Sequence, residues 1–196
     1  MSSGHKFVLR GVVVRRAAAG DGSARVLLYT DAAGLVWAHV QSGREERSQL
    51  RAHLQIGTRG LFSLVKGRDV WRVSGISGTT NLHFALEGRT DAQKTLQRVL
   101  LFVRQFVRGE GSDPYFFTVL WGFLDSLSLL EGDALKDAEH AVVLRMLAAL
   151  GYVEGGEKVS RYLHAAYDSE TLADFSKDRK VMLAVINEGI SASGLN

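Results

Sequence analysis

The hydrophobic rhythm of this chain changes once, near Gly78, and the change limits what the chain can fold into. Before it, apolar residues recur at every second position in short runs, the signature of half-buried strands. After it they recur at every third or fourth position, the signature of helices. The charge divides at the same place. Residues 1–78 carry 12 Lys/Arg against 5 Asp/Glu, a net of +7, and residues 79–196 carry 12 against 16, a net of −4. A basic β-module (1–78) followed by an acidic all-helical part (79–196) is therefore expected, one suited to a polyanion and the other to protein.

Five strand-like runs fill the first part. FVLRGVVVRR (Phe7 to Arg16) contains Gly11, a residue that inside a strand marks a bulge or bend. Arg25 to Thr30, Leu35 to Val40, Leu61 to Lys66 and Val70 to Ile76 follow. The turns between them carry Gly20-Asp21-Gly22, Asp31-Ala32-Ala33-Gly34 and Gly67-Arg68-Asp69, and the polar connection is Ser42 to Gln55. Five short strands predict a small closed or partly open barrel. An OB-fold fits this pattern, and an SH3-like barrel fits it nearly as well.

Thr90-x-x-Gln93 reads as a capping box ahead of a helix over about 92–107, with Leu96, Val99, Leu100, Val103 and Phe106 on one stripe. Asp113 and Pro114 open a second helix, whose stripe is Phe116, Leu120, Phe123, Leu124 and Leu127. A third, about 134–150, is apolar around much of its circumference, stops at Gly151, and is expected at the centre of the bundle. The last, about 169–188, turns Leu172, Phe175, Met182, Val185 and Ile186 inward.

With no cysteine there is no disulfide, no thiolate zinc site and no cysteine nucleophile, which suits a reducing cytoplasm. The six histidines lack metal-ligand spacings, so no metal or cofactor is expected. Phosphate-binding loops and nucleophile elbows are also missing, so the reading is of a protein that is not an enzyme. The start, Met-Ser-Ser-Gly-His-Lys, has no apolar leader. The run from Tyr115 to Leu130 is too short and polar to span a membrane.

The basic residues of the β-module carry the functional reading. Arg10, Arg15 and Arg16 flank the first strand, Arg25 opens the second, and Lys66, Arg68 and Arg72 surround the last hairpin. Arg44, Arg47 and Arg51 would line one face of a helical turn as a phosphate rail, with Glu45 and Glu46 opposing them. Tyr29, Trp37, Phe62 and Trp71 are interleaved with these residues, and Trp37 or Trp71, if exposed, would be a base-stacking ring, with Trp37 placed in the candidate site. Tryptophans on strands are ordinarily core residues, and basic residues on strands ordinarily make the solvated face.

Taken in order, these elements resemble the bacterial RecO family of DNA-repair recombination mediators. The resemblance rests on GVVVRR, a strand ending in Tyr29-Thr30, a D-x-x-G turn, and the segment carrying Gly43, Arg44, Arg47, Ser48, Leu50, Arg51, Leu54 and Gln55. In the helical part, Leu147-x-x-Leu150-Gly151-Tyr152 and Asp168 to Leu183 continue it. It implies an α+β architecture, with an N-terminal five-stranded OB-fold barrel followed by an all-α helical domain. It also implies single- and double-stranded DNA binding, strand annealing, and partnership with RecR and single-strand-binding protein. Ser42 and Glu46 stand where that family commonly has lysine, and His140 stands where it places arginine. The cysteine-rich zinc module of many members has no counterpart, and the tail INEGISASGLN is not basic. From the residues alone, a barrel adaptor for protein partners or an RNA-binding factor competes with the DNA reading.

Overall fold

A computed structural model describes residues 5–19, 23–40, 53–68, 70–164 and 166–194. The chain forms two compact units. One comprises Met1–Glu87 with Val107–Asp113, and the other comprises Gly88–Phe106 with Pro114–Asn196.

The first unit is a closed barrel of β1 (His5–Ala18), β2 (Ala24–Thr30), β3 (Gly34–Val40), β4 (Thr58–Lys66) and β5 (Trp71–Asn81), in the order β1-β2-β3-β5-β4. The β3/β5 pair is parallel and the other pairs are antiparallel. That closure is the OB-fold arrangement, and it sets aside the SH3-like alternative. Alternate side chains fill the interior: Leu9 and Val13, Ala24, Val26 and Leu28, Val36, Ala38 and Val40, Phe62 and Leu64, Trp71 and Val73. β1 is long because it serves two neighbours, β4 along its first half and β2 along its second. Gly11 lies where both pairings meet, and a Cβ there would stand 2.8 Å from the Tyr29 carbonyl oxygen.

β5 continues to Asn81, past the change of rhythm at Gly78. Gly78 takes φ +57° in a register shift opposite Arg59 and Leu61, so it bends the strand and does not end it. A single-turn helix, α1 (Leu82–Ala85), follows, capped by the Asn81 side chain.

Residues 107–113 complete this unit. The Leu35 amide donates to the Gly109 carbonyl and the Gly111 amide to the Ala33 carbonyl, so the segment pairs with the start of β3. The fit admits no side chain at Gly34. That residue has φ +68°, and a Cβ would lie 2.1 Å from the Gly111 oxygen.

The second unit contains α2 (Thr90–Phe106), α3 (Pro114–Ser126), α4 (Gly132–Ala149), α5 (Glu157–Leu163) and α6 (Ser169–Ala192). α4 is its centre and packs against each of the others. Its C-terminus is a Schellman motif: Gly151 at φ +78° follows Leu150, the Tyr152 amide donates to the Leu147 carbonyl, and the Gly151 amide to Ala148. α2 starts at Thr90, earlier than its sequence predicts, and the Arg89 carbonyl receives the Gln93 amide. Thr90 is thus a helical residue and not the cap. Arg89 instead reaches the carbonyls of Leu127, Ser128 and Leu130 beyond α3. Among the described residues, no helix is long and apolar enough to cross a membrane.

Candidate nucleic-acid interface

Strict alternation along β1 would point Arg15 into the barrel, because Leu9, Gly11 and Val13 face inward. A bulge between Val13 and Arg15 adds one residue, Val14, and reverses the parity. Arg15 now pairs with Leu27 and Arg16 with Val26, a core residue. Arg15 therefore emerges on the outer surface, while Arg16 sits half-buried near the barrel's end.

On that outer surface Leu27 pairs in turn with Trp37, which is half-buried. The Arg25 guanidinium lies 4.7 Å from the Trp37 ring centroid and that of Arg15 lies 5.9 Å from it. Such cation–π contacts contribute about 0.5–1 kcal/mol each at exposed sites and hold the ring in place. Among the described residues, neither arginine has a carboxylate partner.

A second row adjoins this cluster. Arg25 is directly opposite His39, and His39 is directly opposite Arg72 on β5. Both β3 side chains, Trp37 and His39, face outward between the inward-facing Val36, Ala38 and Val40. Motif spacing marks His39 only as a histidine without metal-ligand partners. The run LVWAHV nevertheless puts it on the same face as Trp37, and that was the available signal.

The remaining candidates are dispersed. Arg10 is at the opposite end of β2, with its Nε 3.5 Å from Asp31 Oδ2. Lys66 Nζ is 2.6 Å from Glu110 Oε2 and 4.9 Å from the Trp71 ring centroid. Trp71 is a buried core residue whose Nε1 donates to Glu110 Oε1 at 2.8 Å. The hydrogen bonds from Lys66 and then Trp71 hold the Glu110 carboxyl below its usual titration range. Lys66 is thus committed to a carboxylate. Arg68 is exposed in the β4–β5 turn, and Arg44, Arg47 and Arg51 lie outside the described residues. Among the described residues, no group of carboxylates and histidines is arranged to hold a metal ion.

The structure thus assembles Arg15, Arg25, Trp37, His39 and Arg72 on the outer faces of β1, β2, β3 and β5. In OB-folds the β2–β3 face, flanked by the β1–β2 and β4–β5 loops, is where oligonucleotides bind.

Comparison with known proteins agrees with this architecture. Residues 1–81 match the family model described as Recombination protein O N terminal. Over the barrel module the chain is similar to the RecO family. Curated relatives carry the same family name along more of the chain. DNA repair protein RecO of Pelotomaculum thermopropionicum is 28% identical over 156 residues, covering 76% of this chain and 57% of that protein. DNA repair protein RecO of Dehalococcoides mccartyi is 25% identical over 131 residues, covering 65% of this chain and 50% of that protein. The matched stretch therefore spans between half and three-fifths of these RecO proteins.

Proposed function

We propose that this protein is a non-catalytic DNA-binding mediator of recombinational repair. It binds single- and double-stranded DNA on the outer face of β1–β3 and promotes strand annealing and recombinase loading. The observation that carries this reading is the Trp37 ring with two arginine guanidiniums 4.7 and 5.9 Å from its centroid, neither having a carboxylate partner among the described residues. A ring with cations close beside it offers a base platform and phosphate contacts together. The RecO relatives, named for DNA repair, favour DNA over a purely proteinaceous ligand. Annealing needs no covalent step: cations that neutralise two backbones reduce their repulsion, and base pairing does the rest. RecR and single-strand-binding protein are the partners this reading brings with it, in the cytoplasm where DNA is repaired.

The test is fluorescence anisotropy with labelled single-stranded DNA and matched RNA across a salt series. Salt-sensitive, sequence-tolerant DNA binding is expected, and Arg25→Gln should flatten the log–log salt slope by roughly 0.7 on single strands. DNA that stays free at low salt would refute the proposal. Binding of RNA alone would transfer the face to an RNA-binding function.

A further inference from the structure

His39 occupies the middle of a cationic row that crosses the strands. Arg25 faces it from β2 and Arg72 from β5. The next positions in the row, Ala17 on β1 and Val65 on β4, are uncharged. On its own strand the outward neighbour is Trp37, toward which the Arg25 guanidinium leans. Among the described residues no carboxylate enters this row. A protonated His39 would set like charges directly opposite on neighbouring strands, a cost that an anion seated over them removes. At strand spacing the three side chains span about 10 Å, and a protonated imidazole between two guanidiniums would make the middle donor of a continuous track.

We propose that His39 contacts a backbone phosphate as an imidazolium, so that polynucleotide binding on this face is coupled to proton uptake at His39. This rests on the DNA-binding reading above and adds to it a residue and a regulating variable, pH. Imidazole is the side chain that changes charge between about pH 5 and 8, so the coupling would operate near neutrality.

The experiment is anisotropy with labelled single-stranded DNA at fixed ionic strength, from pH 5.5 to 8.0, on wild type, His39→Gln and His39→Lys. Wild type should bind on the order of five- to tenfold more tightly at the acid end, with a salt slope steeper by about 0.7 there. His39→Gln should lack both effects, and His39→Lys should bind at the acid-end affinity of wild type throughout. If His39→Gln keeps the pH dependence of wild type, or wild type shows none, the His39 assignment is overturned and the DNA-binding reading stands. If wild type fails to bind at low salt at every pH, both fall together. Should a variant fold poorly, proton NMR of the His39 ring in wild type decides the matter. Its titration should move to higher pH when oligonucleotide is added, and an unmoved titration overturns the assignment.

Discussion

Trp37 shows how much a side chain's meaning depends on its neighbours. On composition it belongs in a core. In the structure it lies half-buried on the outside, with Arg25 at 4.7 Å and Arg15 at 5.9 Å from its ring. Removing a stacked ring costs about 1–3 kcal/mol per base, so Trp37→Ala should weaken single-strand binding by roughly 5- to 160-fold. Its melting temperature should change little, and a variant with undiminished affinity would remove Trp37 from the interface. The residue types of this site were legible in the sequence, but their grouping was not. Arg15 and Arg16 are adjacent and chemically identical, and only the extra residue at Val14 decides which one joins Trp37. A bulge reflects a mismatch between two strands, and no single strand announces it. Glycines are equally local in their demands. Gly34→Ala would place a methyl group on the Gly111 backbone at a positive φ, and a marked drop in the barrel's melting temperature is expected.

At the level of elements, the Lys66–Glu110–Trp71 latch joins residues 107–113 to the barrel. The Glu110 carboxyl is held below its ordinary value of 4.5, first by Lys66 and then by Trp71. Its contribution to stability is therefore complete above about pH 4.5 and is lost as pH falls through the lowered value. Thermal melts between pH 3 and 6 should show a shallower acid decline for Glu110→Gln than for wild type. The helical unit has the opposite limb. Burial pushes the Tyr167 hydroxyl up to about 12, against the opposing pull of the Arg145 guanidinium 4.4 Å from its ring centroid. Stability present below the ordinary tyrosine value of 10 is then lost as pH rises toward 12. Tyr167→Phe should flatten that alkaline decline. The five strands and four long helices were legible because each buries a face over several periods. α1 and α5, of 4 and 7 residues, are too short to display a stripe. The closing order of the barrel was not legible, because the β3/β5 pairing joins residues far apart in the chain.

For the whole molecule, the two units are interleaved in sequence, since the chain leaves the barrel unit at Glu87 and returns to it at Val107–Asp113. A fragment ending at Glu87 therefore lacks part of its own fold. It should melt below the intact barrel, and the Leu35 amide, which donates to the Gly109 carbonyl in the full chain, should exchange its hydrogen quickly. Equal protection of Leu35 in fragment and full chain would refute this. The same interleaving governs the order in which the protein can be finished during its synthesis. A nascent chain that has delivered all five strands still carries a β3 edge open at Ala33 to Leu35 until α2 and the glycine-flanked Glu110 have followed. Through that interval the barrel offers neighbouring chains an unpaired strand end, and completion of the first unit waits on residues made after the second has begun.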